Sequence, residues 1–374
     1  MSERRRAADP FGPAIPPAAG APNPADLVCP APIPERARVL LGHGSGGQLS
    51  AALMREVIGP ALATATADAA PAGPLNDAAI VEVAGVKLAF TTDSFVVSPL
   101  EFPGGDIGEL AVNGTVNDLA MMGAQPLALS LSYVIEEGLP IEDLRRVTES
   151  VSRAASRAGV RIVTGDTKVV GRGAADGLFV NTSGIGLVSA GVTVAADRAK
   201  VGDAVILSGP IGLHGIAIMS IREGLDFEVE ISSDTQPLNG LVAAMIAACA
   251  DLHVLRDPTR GGLASALNEI AAASGVGIDL REESVPIPGP VRAACEMLGL
   301  DPLHVANEGK LVAIVPAAAA GAVIAAMRAI PEGADSVEIG RVVSEHPGMV
   351  TMRTIVGSRR IVDMLVGEQL PRIC

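Results

Sequence analysis

Residues 140–166, PIEDLRRVTESVSRAASRAGVRIVTGD, contain the pattern from which the fold class follows. Apolar side chains recur at three- and four-residue steps from Leu144 to Ala158, which predicts a helix with one apolar face. Gly159 ends that helix, and Arg161–Thr164 follow as a predicted strand. A helix that packs one face on a sheet is typical of an α/β (α+β) protein, here with mixed sheets covered by helices.

The flanking sequence continues this alternation of helices and strands. A helix is predicted from an N-cap at Asp106, with Glu109 three residues later, to a stop near Gly123. A Gly-rich turn at Gly42–Gly47 precedes a further helical stretch, Leu49–Ile58. The remaining strands predicted in this half are Ala79–Val83, Lys87–Thr92 and Leu127–Val134.

A seam between two halves is predicted near Asp197–Gly202, after which the same style repeats. The predicted strands are Val205–Leu207, Leu311–Val315, Val337–Val342 and Thr351–Val356, and the helices include Leu263–Ala273 and Ala317–Ala329. We therefore expect a Pro/Ala-rich disordered head at 1–35, an N-terminal domain at 36–196, a C-terminal α/β domain at 197–366 and a mobile tail at 367–374.

Composition excludes several classes of protein. The 374 residues carry 28 basic and 42 acidic side chains, and a net charge of −14 argues against a nucleic-acid surface. No apolar run approaches the length of a membrane span. Only four cysteines occur, without a CxxC pair, which is typical of a reduced, cytoplasmic protein.

Four aspartates lie at predicted turns or strand ends, or within a predicted helix: Asp77, Asp93, Asp118 and Asp166. Several carboxylates around one cavity suit a Mg²⁺ ion that bridges phosphates, although aspartates at such positions are also ordinary turn and N-cap residues. Asn117 and Asp118 interrupt a predicted helix, where neither residue is favoured. A break of that local rule is typical of a functional position.

Other candidate groups lie in Gly-rich turns. Gly42–Gly47 could bind phosphate through backbone N–H groups, and Arg260 in Asp257–Gly262 could do so as a fixed cation or could form a surface salt bridge. Lys168, two residues after Asp166, and Glu308, in a turn before a buried strand, are candidate proton-transfer groups. A single histidine such as His214 is more typical of a structural role.

The chain ends on Cys374, in Pro371-Arg372-Ile373-Cys374, and folding gives no reason for a cysteine there. A thiol on a mobile tail can carry a chemical group between active sites. The adjoining α-carboxylate is expected to raise the pKa of this thiol, so the thiolate needs local support. The other cysteines, Cys29, Cys249 and Cys295, are interpreted as structural or incidental.

Several motifs resemble those of the HypE family of hydrogenase expression/formation proteins. That family belongs to a superfamily of ATP-using enzymes that includes aminoimidazole ribonucleotide synthetase and selenophosphate synthetase. The resemblance runs from about residue 39 to the terminus, and its last motif is the one that separates the family from its relatives. The motifs are FPGGD at 102–106, VTGDTKVV at 163–170, GAAD at 173–176, DPTRGG at 257–262, ANEGK at 306–310 and PRIC at 371–374.

The resemblance implies a two-domain aminoimidazole ribonucleotide synthetase-like fold with a flexible C-terminal tail. The N-terminal domain would bind ATP and pair across a homodimer, with nucleotide in a groove roofed by Gly-rich segments. The carbamoyltransferase HypF would load a carbamoyl group onto Cys374, and ATP-dependent dehydration would convert the S-carboxamide to a thiocyanate. The cyano group would then pass to iron held by the HypC–HypD complex, on the way to a [NiFe]-hydrogenase.

The resemblance also implies roles for single residues. Cys374 would carry the substrate, and Lys168 and Glu308 would move the two N–H protons that dehydration removes. Asn76 departs from the family pattern, because the first acidic motif often has a second carboxylate at that position. The residues expected at Mg²⁺–ATP are Asp77, Asp93, Asp118 and Asp166, with Asn117 and Arg260 as further ATP contacts.

Two other interpretations remain open at this point. One is another ATP-dependent synthetase or kinase of the same superfamily, although Gly42–Gln48 lacks the reactive cysteine and the lysine usual in selenophosphate synthetases. The other is a non-enzymatic carrier or scaffold, whose tail docks on a maturation complex. ATPase activity with a modified tail separates the carrier or scaffold from the enzyme.

Overall fold

The computed structural model describes residues 38–63, 76–224, 229–367 and 373–374. The predicted head at 1–35 lies outside the described residues, and so do residues 368–372 of the predicted tail. Residues 39–374 form one compact unit that contains two large sheets.

The described residues contain fourteen strands and nine α-helices. The strands are β1 (Ala79–Val83), β2 (Val86–Phe95), β3 (Glu101–Phe102), β4 (Gly105–Asp106), β5 (Ala124–Glu136), β6 (Arg161–Val170), β7 (Leu178–Val188), β8 (Ala204–Leu207), β9 (Val254–Arg256), β10 (Gly277–Arg281), β11 (Val312–Val315), β12 (Val337–Val343), β13 (Val350–Arg353) and β14 (Arg359–Val362). The helices are α1 (Gln48–Leu53), α2 (Gly59–Ala63), α3 (Ile107–Met121), α4 (Ile141–Ala158), α5 (Leu213–Arg222), α6 (Asn239–Ala248), α7 (Gly262–Ser274), α8 (Gly289–Leu298) and α9 (Ala320–Arg328).

The first sheet has five strands in the order β1-β2-β7-β5-β6. β5 and β6 are parallel and the other neighbours are antiparallel, so the predicted mixed sheet is confirmed. Helix α3 packs across β2, β5 and β7, and α4 packs on α3. These helices cover one face of the sheet with a core that includes Val116, Leu119, Leu129 and Val151.

Helices α3 and α4 confirm the sequence prediction closely. The Asp106 carboxylate caps α3 by accepting hydrogen bonds from the N–H groups of Gly108 and Glu109, at 2.7 and 3.0 Å. Gly159 ends α4 with φ at 70°, a left-handed conformation that favours glycine. Neither these helices nor any other in the described residues is long and apolar enough to cross a membrane.

The opposite face of the first sheet remains open in a single chain. Side chains alternate between the two faces of a strand, so Phe90 points away from the face that carries Ala89 and Thr91. Phe90 is 46% exposed, and Ile185 and Leu187 on β7 are each 40% exposed. Exposed apolar side chains in such number are typical of a surface that another protein covers.

The second sheet has seven strands in the order β14-β13-β10-β12-β8-β11-β9. Both of its faces are buried. Val205 and Leu207 of β8 face one apolar cluster together with α7, whereas Ala204 and Ile206 face a second cluster that α6 and α9 complete. This sheet gives the C-terminal half a rigid base for the loops that enter the site.

Two predicted strands are longer than expected, and this changes the position of two candidate ligands. β2 continues to Phe95 and β6 continues to Val170, so Asp93 and Asp166 lie inside strands and not at strand ends. The predicted strand Thr351–Val356 stops at Arg353 and turns into β14. Several elements were not predicted: β7, β9, β10, β14, α6 and α8.

Candidate active site

A cleft of about 230 Å³ brings together acidic side chains from both halves of the chain. The residues that define its chemistry are Asp77, Asp93, Asp118, Asp257, Arg260, Glu308 and Cys374. All of these except Asp257 are residues to which the sequence analysis assigned a role. The structure therefore unites most of the predicted site within one chain.

Three aspartates form the centre of the cleft. Asp77 precedes β1, Asp118 lies on α3 and Asp257 follows β9 directly. A carboxylate oxygen from each lies within 4.8 Å of one from the other two. Asp257 was missed because it was interpreted as part of a Gly-rich turn; its place immediately after a short apolar strand was the available signal.

Burial and mutual repulsion weaken the acidity of these carboxyls. Burial, followed by the nearby Asp257 and Asp77 carboxylates, raises the pKa of Asp118 well above its usual value. Burial also raises the pKa of Asp77 to about 6, although the Arg256 guanidinium opposes that shift. Arg256 Nε lies 3.0 Å from Asp77 Oδ1, so this cation fixes one corner of the cluster. Carboxylates held this close favour a shared divalent cation, because a cation removes their repulsion.

Asp93 and Arg260 form the side of the cleft nearest the Gly-rich loop. Burial raises the pKa of Asp93, and the Arg260 cation counteracts this effect. Arg260 also donates a hydrogen bond from Nη1 to the Gly44 carbonyl at 2.9 Å. A Cβ on Gly46, whose φ is 77°, would lie 2.6 Å from the Arg260 carbonyl oxygen, so the loop approaches this closely because it has glycine there.

The last two residues of the chain lie in this region. The terminal carboxylate of Cys374 accepts a hydrogen bond from the Val96 N–H at 3.1 Å. Ile373 is only 4% exposed and joins the apolar cluster of Phe95 and Phe102, so this residue of the predicted mobile tail adds to the core. Burial, reinforced by Glu308, raises the pKa of the Cys374 thiol, which favours the neutral thiol in the cleft.

Glu308 is held rigidly beside the aspartates. Its side chain is 4% exposed, and its Oε1 has no hydrogen-bond partner among the described residues. Its backbone N–H donates to Asp234 Oδ1 at 3.1 Å, which fixes the segment. Burial, and after it the charge of Asp257, raises the pKa of Glu308 well above its usual value. A carboxyl of this kind can take up and release protons closer to neutral pH.

Asn117 forms hydrogen bonds to the second half of the chain, and its contact with ATP stays a prediction. Its Nδ2 donates to the Gln236 carbonyl at 3.1 Å and the Glu308 carbonyl at 3.4 Å, and its Oδ1 accepts from the Leu238 N–H at 2.7 Å. The side chain is 1% exposed. Asn117 therefore joins α3 to the second half of the chain and fixes the backbone of Glu308.

Asp166 and Lys168 do not join the cleft within one chain. They form an exposed ion pair, with Lys168 Nζ 2.7 Å from Asp166 Oδ2. The strand register aligns Asp166 with Ser132, Ser132 with Asn181 and Asn181 with Ser94. Directly paired residues share a face, so Asp166 lies on the face of Ser94, opposite the face of Asp93. Within one chain, Asp166 therefore lies apart from the other three aspartates, and its role at Mg²⁺–ATP stays a prediction.

Asn76, which departs from the family pattern, has a structural contact in this chain. Its Oδ1 accepts a hydrogen bond from the Ala196 N–H at 2.9 Å. This contact ties the segment before β1 to the predicted seam between the halves. The second half supplies a carboxylate, Asp257, at the corner where Asn76 supplies none to the cluster.

Each half of the chain matches a known family of protein domains. Residues 75–188 match the family described as AIR synthase related protein, N-terminal domain. Residues 200–352 match the family described as AIR synthase related protein, C-terminal domain. The cleft is therefore built from residues of both family domains.

Individual relatives are similar over almost their whole length. The carbamoyl dehydratase HypE of Azotobacter vinelandii is 53% identical over 332 residues, which cover 89% of this chain and 96% of that protein. A crystal structure of HypE in complex with ATP is 47% identical, with a TM-score of 0.75, and the match covers 90% of this chain and 100% of that one. A crystal structure of a HypE–HypF complex is 48% identical, with a TM-score of 0.79, over 84% of this chain and 100% of that one.

Proposed function

The chain belongs to the HypE family of carbamoyl dehydratases, and from that premise we propose that it dehydrates the S-carboxamide on its own Cys374, with ATP, to a thiocyanate. One observation carries this proposal. The terminal thiol lies in the same cleft as Asp93, Asp118, Asp257 and Arg260, where the phosphates of a nucleotide would meet it. The thiocyanate is the cyanide donor for the iron of a [NiFe]-hydrogenase.

The chemistry needs a leaving group, because an amide oxygen leaves poorly. The carboxamide oxygen attacks the γ-phosphorus of the co-substrate ATP, ADP leaves, and a C–O–P linkage forms. Cleavage of the C–O bond then releases phosphate while the C≡N bond forms. Both N–H protons depart; one ends on phosphate and the other passes to solvent, so the tail loses one water in total.

The residues of the cleft divide this work between them. Arg260 lies near the thiol and the Gly-rich loop, and it would hold a phosphate group beside the carboxamide. Glu308 would accept a proton from the carboxamide nitrogen, because it lies in the cleft beside Cys374 and burial raises its pKa, which makes it a stronger base than an exposed carboxylate. Asn117 would keep Glu308 in place through their hydrogen bond.

The acidic cluster fits a magnesium ion. Asp77, Asp118 and Asp257 offer hard carboxylate oxygens that lie close together and are buried. We propose these three as ligands, with Asp93 beside them. When bound, Mg²⁺ would neutralise the triphosphate and hold it against the carboxylates.

We propose a homodimer in which the open face of the first sheet is the contact. The exposed Phe90, Ile185 and Leu187 give that face its apolar character. Asp166 and Lys168 lie on the same face, so pairing would offer them to the cleft of the second copy. Lys168 would then act in proton transfer or phosphate binding in trans.

The resemblance to the HypE family implies three partner proteins for the tail. We propose that a HypF carbamoyltransferase loads Cys374, in agreement with the solved HypE–HypF complex of a relative. The HypC–HypD complex would receive the cyano group on iron. Cys374 must leave its cleft for both exchanges. We also propose that the protein works in the cytoplasm, where ATP is available and Cys374 stays reduced.

A mass measurement tests the proposed reaction directly. Protein that HypF has carbamoylated should lose the mass of one water from its C-terminal peptide when Mg²⁺ and ATP are added, with formation of ADP. Cys374→Ala should take up no carbamoyl group and show no such loss, while its melting temperature stays close to that of the unmodified protein. If carbamoylated protein loses no water and forms no ADP, the chain is a carrier and the dehydratase proposal is rejected.

A further inference from the structure

His214 is buried in the core and lies where the tail ends. It is the second residue of α5 and has no exposed surface. Its Nε2 lies 2.5 Å from the carbonyl oxygen of Ile373, and its Nδ1 lies 2.8 Å from Ser233 Oγ. The hydrogen bond from this buried histidine to the Ile373 carbonyl stabilises the position of the tail in the cleft.

The pattern of donors and acceptors allows one assignment of the ring protons. A carbonyl oxygen only accepts, so Nε2 of His214 must donate to Ile373. In a neutral ring Nδ1 then accepts, and the Ser233 hydroxyl donates to it. Ser233 Oγ still has a lone pair, which accepts the Thr235 N–H at 3.1 Å. Burial lowers the pKa of His214, in agreement with a neutral ring.

The FPGGD motif at 102–106 builds the wall around this histidine. The Phe102 and His214 rings meet edge to face, with their centres 5.5 Å apart and their planes at 89°. The Pro103 carbonyl accepts the Ser233 N–H at 2.7 Å. A Cβ on Gly104 would lie 2.8 Å from the Ser233 nitrogen, so glycine permits this approach. The motif thereby fixes Ser233, and Ser233 fixes the ring.

The same helix is tied to the segment that carries Glu308. The Gly215 N–H donates to the Ala306 carbonyl at 3.1 Å, and the Gly212 N–H donates to Asn307 Oδ1 at 2.7 Å. The tail has a second anchor, where the Val96 N–H donates to the terminal carboxylate of Cys374. Two fixed donors therefore hold the Ile373 carbonyl and the adjoining terminal carboxylate at the cleft that contains Asp93 and Glu308.

We propose that His214, with Ser233 as its orienting partner, is the docking receptor of the tail: it holds the Ile373 carbonyl and so seats the Cys374 group in the cleft for dehydration. The role in dehydration rests on the proposed function, whereas the docking of the tail on His214 does not. His214 is a positioning residue. Its hydrogen bond to the Ile373 carbonyl stabilises the docked tail. Because this is a single hydrogen bond, which water can replace, the tail can also leave the cleft.

Alkylation of Cys374 measures docking without any enzymatic step. In His214→Leu the Ile373 carbonyl loses its donor, so the rate at which iodoacetamide modifies the C-terminal peptide should rise at least about fivefold. His214→Gln, whose amide reaches the position of Nε2, should return the rate towards wild type. Cys295, which is 1% exposed, should stay unmodified in every variant and so reports that the fold is intact.

Two further variants keep the test decisive if His214→Leu fails to fold. Ile373→Ala changes only the tail and should also accelerate alkylation of Cys374. Ser233→Ala should do so as well. Ser220→Ala should not, because this α5 serine bonds only the Ala217 carbonyl among the residues that the structure describes. If Cys374 reacts no faster in Ile373→Ala and Ser233→Ala than in wild type, the docking receptor is rejected.

The consequence for the reaction is measured on carbamoylated protein. Under single-turnover conditions with saturating ATP, loss of water should slow in Ile373→Ala and Ser233→Ala, while the Kd for ATP stays unchanged. Faster alkylation with an unchanged rate of dehydration would overturn the positioning role. If wild type itself loses no water, the proposed function fails, and the alkylation rates still decide whether His214 docks the tail.

Discussion

The carboxyl of Glu308 combines three properties that a proton acceptor needs: it is buried, its backbone is fixed, and its Oε1 has no partner in the described residues. Glu308→Gln preserves the size of the side chain and removes its basicity. We expect the single-turnover rate of dehydration to fall between about 10² and 10⁴-fold, the usual range for loss of a general base.

The control for Glu308→Gln is Glu137→Gln, an exposed glutamate just beyond β5, which should leave the rate unchanged. The melting temperature of Glu308→Gln should not decrease, because a neutral amide suits a buried site where a charged carboxylate is disfavoured. A rate within a few-fold of wild type would remove Glu308 from the reaction.

The acidic cluster makes a further prediction about pH. Asp77 has a pKa raised from 3.8 to about 6, and burial also raises the pKa values of Asp118 and Asp257 well above their usual value. A carboxyl whose folded pKa is raised adds stability that is complete below its unfolded pKa and is lost as pH rises through the folded pKa. Without metal, the cluster should therefore destabilise the protein progressively from about pH 4 to above pH 6.

Magnesium should reverse this loss, since it binds the charged carboxylates. The increase in Tm on addition of Mg²⁺ should be larger at pH 8 than at pH 5, by a few degrees, because protons compete for the ligands at low pH. Asp118→Asn should reduce both the pH-dependent loss and the response to Mg²⁺. Calorimetry with and without Mg²⁺ measures both, and an equal response at the two pH values would exclude these carboxyls as ligands.

At the scale of elements, α3 supplies residues to the site and joins the two halves of the chain. Its N-cap, Asp106, accepts two backbone N–H groups, and its last turns present Asn117 and Asp118. Asp106→Ala should lower the free energy of unfolding by about 1 kcal/mol. Urea denaturation measures this loss, and Glu149→Ala, an exposed position on α4, should change it by less than about 0.5 kcal/mol. Equal free energies of unfolding for the two variants would show that the Asp106 cap does not stabilise α3.

The elements also show where sequence reasoning succeeded. The bounds of α3 and α4 were predictable because Asp106 and Gly123 mark the ends of α3, and because the apolar period of α4 runs from Leu144 to its stop at Gly159. β7 was missed although it is central in the first sheet, because its sequence contains polar residues and glycines, such as Asn181 and Gly184, that are not typical of strands. A Cβ on Gly184 would lie 2.8 Å from Thr115 of α3, so the glycine is required by close packing of the helix and not by strand propensity.

At the scale of the whole molecule, the structure brings Asp77, Asp93, Asp118 and Glu308 into one cleft, whereas Asp166 and Lys168 lie outside that cleft within one chain. The sequence does not separate the two groups, because each of these residues is a charged side chain in a predicted strand, turn or helix. Only the register of the assembled sheet shows that Asp93 faces α3 while Asp166 faces outward. Which face of a sheet is covered depends on contacts distant in sequence, and a one-dimensional pattern does not contain them.

The outward position of Lys168 leads to a test of the dimer. Lys168→Ala and Asp118→Asn should each reduce dehydration by about 10²-fold when pure. If Lys168 serves the cleft of the second copy, a mixed dimer contains one complete site, because the Asp118→Asn copy supplies Lys168 to the intact cleft of the other. After unfolding and refolding of an equal mixture, roughly a quarter of the wild-type rate should return, since half of the dimers are mixed and one site in each is complete.

Phe90→Glu in both copies should abolish that recovery, because a charge on the open face opposes pairing. A mixture that stays as inactive as its components would instead place Lys168 outside the reaction in trans.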